Sequence, residues 1–235
     1  MMLVQNIIEV FEDNANPAAV EGMARYGIRG GHVYGLSIPF IRSMARKIVK
    51  NQPLALDLHH QGSREARILA YMIAEPSETG DDLMESLAAS FDSWEVCDQC
   101  CMNLFEKLPS AWVKAVEWNV RPEEYVKRAG FVLMARLAVS DKKAADDRFI
   151  PFLDLIVRKS TDTRAMVKKA VNWALRQIGK RNARLNEISC ATARDIKVLN
   201  SGSARWIAAD ALRELESEAV RKRLDTKKKQ LSVTS

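Results

Sequence analysis

The chain has 235 residues, 47% hydrophobic and 28% charged, with 10 Gly, 7 Pro and 7% aromatic residues, enough apolar material for one compact domain or one continuous repeat array and too much for a disordered chain. No apolar run approaches the roughly 18 residues of a membrane span, and the first residues carry Glu9, Glu12 and Asp13 rather than a signal-peptide pattern, so a cytoplasmic protein without a membrane role is expected. The net charge of +6 is uneven: residues 1–120 hold 10 basic and 16 acidic residues, 121–200 hold 18 and 9, and 201–235 hold 8 and 5, a basic C-terminal half that suits either nucleic acid or a solvated surface.

Helical periodicity runs through nearly the whole chain. Leu3, Ile7, Ile8 and Phe11 mark a first helix, and residues 18–25 a second. Tyr26 to Gly35 is an irregular loop with four glycines, after which Ser37 caps a helix with Pro39 in its first turn and Phe40, Ile41, Met44 and Ile48 as its apolar stripe. The spacing then predicts helices over 53–60, 64–74, 81–91, 94–107, 111–118, 123–138, 144–158, 164–180, 184–199 and 203–217, separated by breakers such as Gln61-Gly-Ser, Pro109-Ser, Arg121-Pro and Ser201-Gly-Ser. Every second helix starts near 64, 94, 123, 164 and 203, a drifting repeat of about 30 to 40 residues. Paired helices at such a period cannot bury their apolar faces alone and must stack on neighbours. The expected fold is therefore all-α, a curved HEAT-like or armadillo-like solenoid spanning 1–224 as one domain, with a basic concave face and a disordered tail over 225–235.

Three segments carry chemistry. In the helix from 94, Trp94 and Asp98 stand at i and i+4, beside the apolar stripe of Cys97, Cys100, Leu104 and Leu108. A carboxylate there needs a partner or a task, because an unpaired buried charge is expensive. Pairing with a neighbouring helix is one reading and catalysis is the other. Cys97, Cys100 and Cys101 lie too close for a disulfide framework, and as a metal or redox pair they lack a second ligand set. Next, Lys127 and Arg128 follow Tyr125 early in a helix; Arg128 shares a side with Tyr125 and Val132, so its guanidinium can be aimed at a phosphate or at an ion-pair partner. Third, Trp173 lies off the core stripe of its helix, between Lys169, Arg176 and Lys180 at i−4, i+3 and i+7. An indole on a basic stripe suits packing against sugar or base while the cations hold phosphates, or else the edge of the next repeat's interface.

Trp94 with Asp98, then Arg128 in its Lys-Arg pair, then Trp173 within Lys168-Lys-Ala-Val-Asn-Trp-Ala-Leu-Arg176, resembles in order and spacing the catalytic cleft of the AlkD-type DNA alkylation repair glycosylases. Gly35-Leu-Ser-Ile-Pro-Phe-Ile-Arg42 is similar to an early helix of that family, and the resemblance runs from about residue 20 to 220; Tyr125 stands where the better-known branch tends to have Trp. The resemblance implies a monofunctional enzyme without cofactor or metal. It would excise cationic N3- and N7-alkylated purines from double-stranded DNA as a monomer, with no dedicated base pocket. It further implies that Asp98, Trp94 and Trp173 surround the lesion's deoxyribose and that Arg128 holds the backbone. Two rivals stand beside it: a non-catalytic module for damaged or branched DNA, and a protein-binding scaffold.

Overall fold

The computed structural model describes residues 4–28 and 32–233, with side chains as far as Thr226. Every regular element among them is helical and none is a strand. The chain divides into two compact units, Met1–Ser110 and Ala111–Ser235, each considered by itself below. Charge divides at the same boundary, with 9 basic and 15 acidic residues up to 110 and 27 and 15 from 111 onward.

The first unit contains α1 (Val4–Asp13), α2 (Pro17–Arg25), α3 (Ile38–Lys47), α4 (Gln52–Gln61), α5 (Arg64–Ile73), α6 (Asp81–Ala89) and α7 (Trp94–Asn103). Side-chain oxygens of Asn16, Ser37, Asn51, Ser63 and Ser93 accept backbone N–H groups at the openings of α2, α3, α4, α5 and α7, satisfying donors that a helix start leaves free. α4 pairs with α5, and α5 packs against both α3 and α7, around a core that includes Phe11, Ile41, Leu58, Ile68 and Tyr71. Ile7, Ile8 and Phe11 are buried as expected; Leu3 lies outside the described residues. Of the α3 stripe only Ile41 is fully buried, while Phe40, Met44 and Ile48 are half-buried. The helix expected over 94–107 ends at Asn103 and resumes as a 3-10 turn, Phe105–Lys107.

The second unit contains α8 (Ala111–Glu117), α9 (Glu124–Ser140), α10 (Ile150–Lys159), α11 (Ala165–Gly179), α12 (Ala183–Lys197), α13 (Gly202–Leu215) and α14 (Glu218–Val233). α10 starts later than periodicity suggests because Pro151 in its first turn has no N–H to give, leaving a separate 3-10 turn at Asp146–Arg148. α11 packs between α9 and α13, with α8 against α9 and α10 and α12 against α11. The contacts obey one register: Arg128 meets Met166, Asn172 meets Asp210 and Arg176 meets Glu214, each 38 residues apart. The corresponding step in the first unit is 31 residues, from Tyr34 to Glu65 and from Arg64 to Glu95. This is the stacking of a HEAT-like array, in which each pair meets its neighbour at a fixed offset.

The segment from 225, expected as a disordered tail, continues α14 as helical backbone to Val233. A Lys222–Glu218 ion pair at i,i+4 (2.7 Å) and the buried side chain of Leu224 stabilise the half of that helix before the lysine run.

Candidate functional site

In the first unit, Ser93 caps α7 so that Trp94 takes its first position and Asp98 lies one turn on. Trp94 is half-buried, and its indole N–H donates to the backbone carbonyl of Tyr26 at 2.9 Å, which ties the glycine-rich loop to α7. The Tyr26 side chain itself is 75% exposed. Asp98 is 7% exposed, and its negative charge helps to raise the Cys101 thiol. Burial pushes the thiols of Cys100 and Cys101 well above their usual range, so both are protonated and poor ligands or nucleophiles at neutral pH. No group of three or more His, Cys, Asp or Glu among the described residues could hold a metal ion, and no described helix is long and apolar enough to cross a membrane.

Beside Trp94, Glu95 accepts from Arg64 at 2.6 Å, and Arg64 also donates to Glu65 at 2.8 Å and to the Leu36 carbonyl at 2.9 Å. Glu65 in turn accepts the backbone amides of Tyr34, Gly35 and Leu36 at 3.0 to 3.1 Å. Gly35 has φ 81°, and a Cβ there would stand 2.3 Å from the Asn16 carbonyl, so no larger residue fits. The loop before α3 and the first turn of α7 are thus joined by one buried ionic network, which sequence reasoning missed. The only trace of it in the sequence is an Arg-Glu pair directly after the cap Ser63, where two charges are about to be buried.

The other six candidates belong to the second unit. Lys127 is 9% exposed and 3.5 Å from Asp162, and Arg128 is 5% exposed and donates to the Met166 carbonyl at 2.6 Å. The adjacent pair therefore ties α9 to the start of α11. Asp162 is held below the ordinary carboxylate range first by its hydrogen bonds from Arg164, burial opposing, with the Lys127 charge adding to the effect. Trp173 is half-buried and Lys169 is exposed. Arg176 and Lys180 do not project into water as a free basic stripe: both meet Glu214 of α13 at 2.5 Å, and Arg176 lies 3.5 Å from Asp210. Burial alone would raise Glu214, but the hydrogen bond from Lys180 and the neighbouring cations outweigh it and hold the carboxyl low. Any phosphate reaching Arg176 or Lys180 must compete with these two acids.

Against known proteins, a family described as DNA alkylation repair enzyme matches residues 7–188. Among solved structures, a protein described as belonging to a new family related to the HEAT-like repeat DNA glycosylases, with affinity for branched DNA structures, superposes with a TM-score of 0.79 at 19% identity, covering 95% of this chain and 96% of that one. That likeness establishes the HEAT-like fold. None of the curated proteins matches.

Proposed function

Because the chain belongs to the DNA alkylation repair enzyme family, we propose that it is a monofunctional DNA N-glycosylase acting on cationic N3- and N7-alkylated purines in double-stranded DNA. The observation that carries this reading is Asp98: a carboxylate 7% exposed, one turn beyond a half-buried tryptophan on α7. In the reaction the C1′–N bond breaks, its electron pair leaves on the purine and neutralises the base's positive charge, and water adds at C1′ and gives up a proton. A cationic base is already a good leaving group, so the demand on the protein is to stabilise an oxocarbenium-like sugar and to place the water. Asp98 suits both tasks, the indoles of Trp94 and Trp173 offer faces that favour electron-poor groups, and Arg128 offers a permanent, planar charge for the backbone. Lys127, Lys169, Arg176 and Lys180 complete the set that would meet phosphates.

A second reading has its own support. The solved relative in fold is described by affinity for branched DNA, and a non-catalytic module for damaged or branched DNA would use the same cations without needing Asp98.

The test is release of methylated purines from alkylated duplex by wild type and Asp98→Asn, with DNA affinity measured alongside. Asn keeps the shape and deletes the charge, so affinity should persist while excision falls by about two orders of magnitude or more, the scale of removing one preorganised electrostatic group. Tight binding by wild type without any release would leave the second reading in its place. Equal excision by both proteins would remove Asp98 from the chemistry.

A further inference from the structure

In the second unit, the 38-residue register that sets Arg176 on Glu214 also sets Lys168, in the first turn of α11, on Trp206, the fifth residue of α13. The Lys168 ammonium lies 4.8 Å from the centre of the Trp206 ring, and the indole remains 41% exposed. Lys169 and Arg205, next to each of them in sequence, are exposed as well. Two neighbouring acids are engaged elsewhere. Asp210, one turn beyond Trp206, accepts from Asn172 and pairs with Arg176 and Arg213; Asp162, whose backbone carbonyl accepts from Ser203, has its carboxylate on Arg164 and Lys127. The openings of α11 and α13 therefore present one cation against an aromatic face, with Lys169 and Arg205 exposed on the same two turns, while the cations farther along α11 are matched by Glu214.

An indole left in water gains nothing for its own fold from its exposed area, and a cation beside it selects a π-system with negative charge next to it. A nucleotide has that make-up, with a flat base joined to a phosphate. Paired duplex keeps its bases inside the stack, so the ligand that can use an indole at the protein surface is a nucleotide already unpaired, at a gap, a bulge or a branch point. We propose that Trp206, with Lys168 against its ring, is a seat for one unpaired nucleotide of DNA, its base stacked on the indole and its flanking phosphates within reach of Lys168 and of the exposed Lys169 and Arg205. This inference rests on the DNA-binding part of the function proposed above and not on excision.

The experiment measures fluorescence anisotropy of the full chain with two labelled duplexes of one sequence, one fully paired and one with a single-nucleotide gap opposite an unpaired thymine. For Trp206→Ala, affinity for the gapped DNA should fall about tenfold, the scale of one base–aromatic stack, while affinity for paired DNA stays within about twofold of wild type. Trp206→Phe, which keeps an aromatic face, should retain most of the preference for the gap. A fall of the same size on both DNAs, or none on either, would overturn the seat while leaving DNA binding intact; so would full retention by Ala with loss by Phe. Failure of wild type to bind either DNA would overturn both this inference and the reading on which it stands, whereas absence of purine release by a protein that shows the gap preference would overturn the glycosylase alone.

Discussion

Glu65 is fully buried, yet its carboxylate accepts three backbone amides and one guanidinium, so its charge is matched on both oxygens. Deleting it would strand Arg64 and the amides of Tyr34, Gly35 and Leu36 away from water. Glu65→Ala should lower unfolding stability by about 3–5 kcal/mol, the usual effect of removing one partner of a buried pair, and Glu65→Gln, which keeps one acceptor oxygen, should lose less. Urea unfolding of the full chain checks this, and an Ala variant within about 1 kcal/mol of wild type would show that the loop does not depend on the network. At this scale the sequence was partly legible. Helical spacing put Trp94 and Asp98 one turn apart, and they are. Glu65 stayed hidden because its acceptors' partners lie 29 to 31 residues upstream, at a distance no helical wheel reports.

Helices announce themselves through local chemistry, which explains why their order was readable: Ser37, Ser63, Ser93 and Ser201 each cap the helix their position suggests. How helices meet is a matter of partners far away in sequence. Lys169, Arg176 and Lys180 form a stripe on the wheel of α11, but only the 38-residue register shows that Glu214 of α13 lies against two of them. Close approach is likewise invisible from one helix. A Cβ on Gly179, the last residue of α11, would stand 2.7 and 2.9 Å from the δ carbons of Leu215 and 2.9 Å from Ser189 Cβ. Ala is the better helix former by up to about 1 kcal/mol, yet Gly179→Ala should lower the thermal midpoint, because forcing a methyl into filled space costs about 1–3 kcal/mol. A midpoint equal to or above wild type would mean that α12 and α13 can retreat.

For the chain as a whole, charge is segregated: the unit up to Ser110 carries more acid than base, and the unit from Ala111 carries nearly twice as many basic as acidic residues. A count of those cations overstates what DNA would meet, since Arg176 and Lys180 share Glu214. Replacing that acid by Gln should release Lys180 from its ion pair and leave Arg176 with Asp210 alone. Glu214→Gln should bind paired duplex more tightly at low salt and steepen the slope of log affinity against log salt by about one, as each newly engaged phosphate adds to counterion release. An unchanged slope would place the DNA surface away from the far end of α11. The same internal pairing bears on time rather than on strength. A protein that repairs rare lesions must inspect a great deal of intact duplex, and a surface gripping every phosphate would linger on each stretch. On the function proposed above, cations already satisfied by their own chain would let go of undamaged DNA readily, and the acid on α13 would trade residence time on any one site for the number of sites visited.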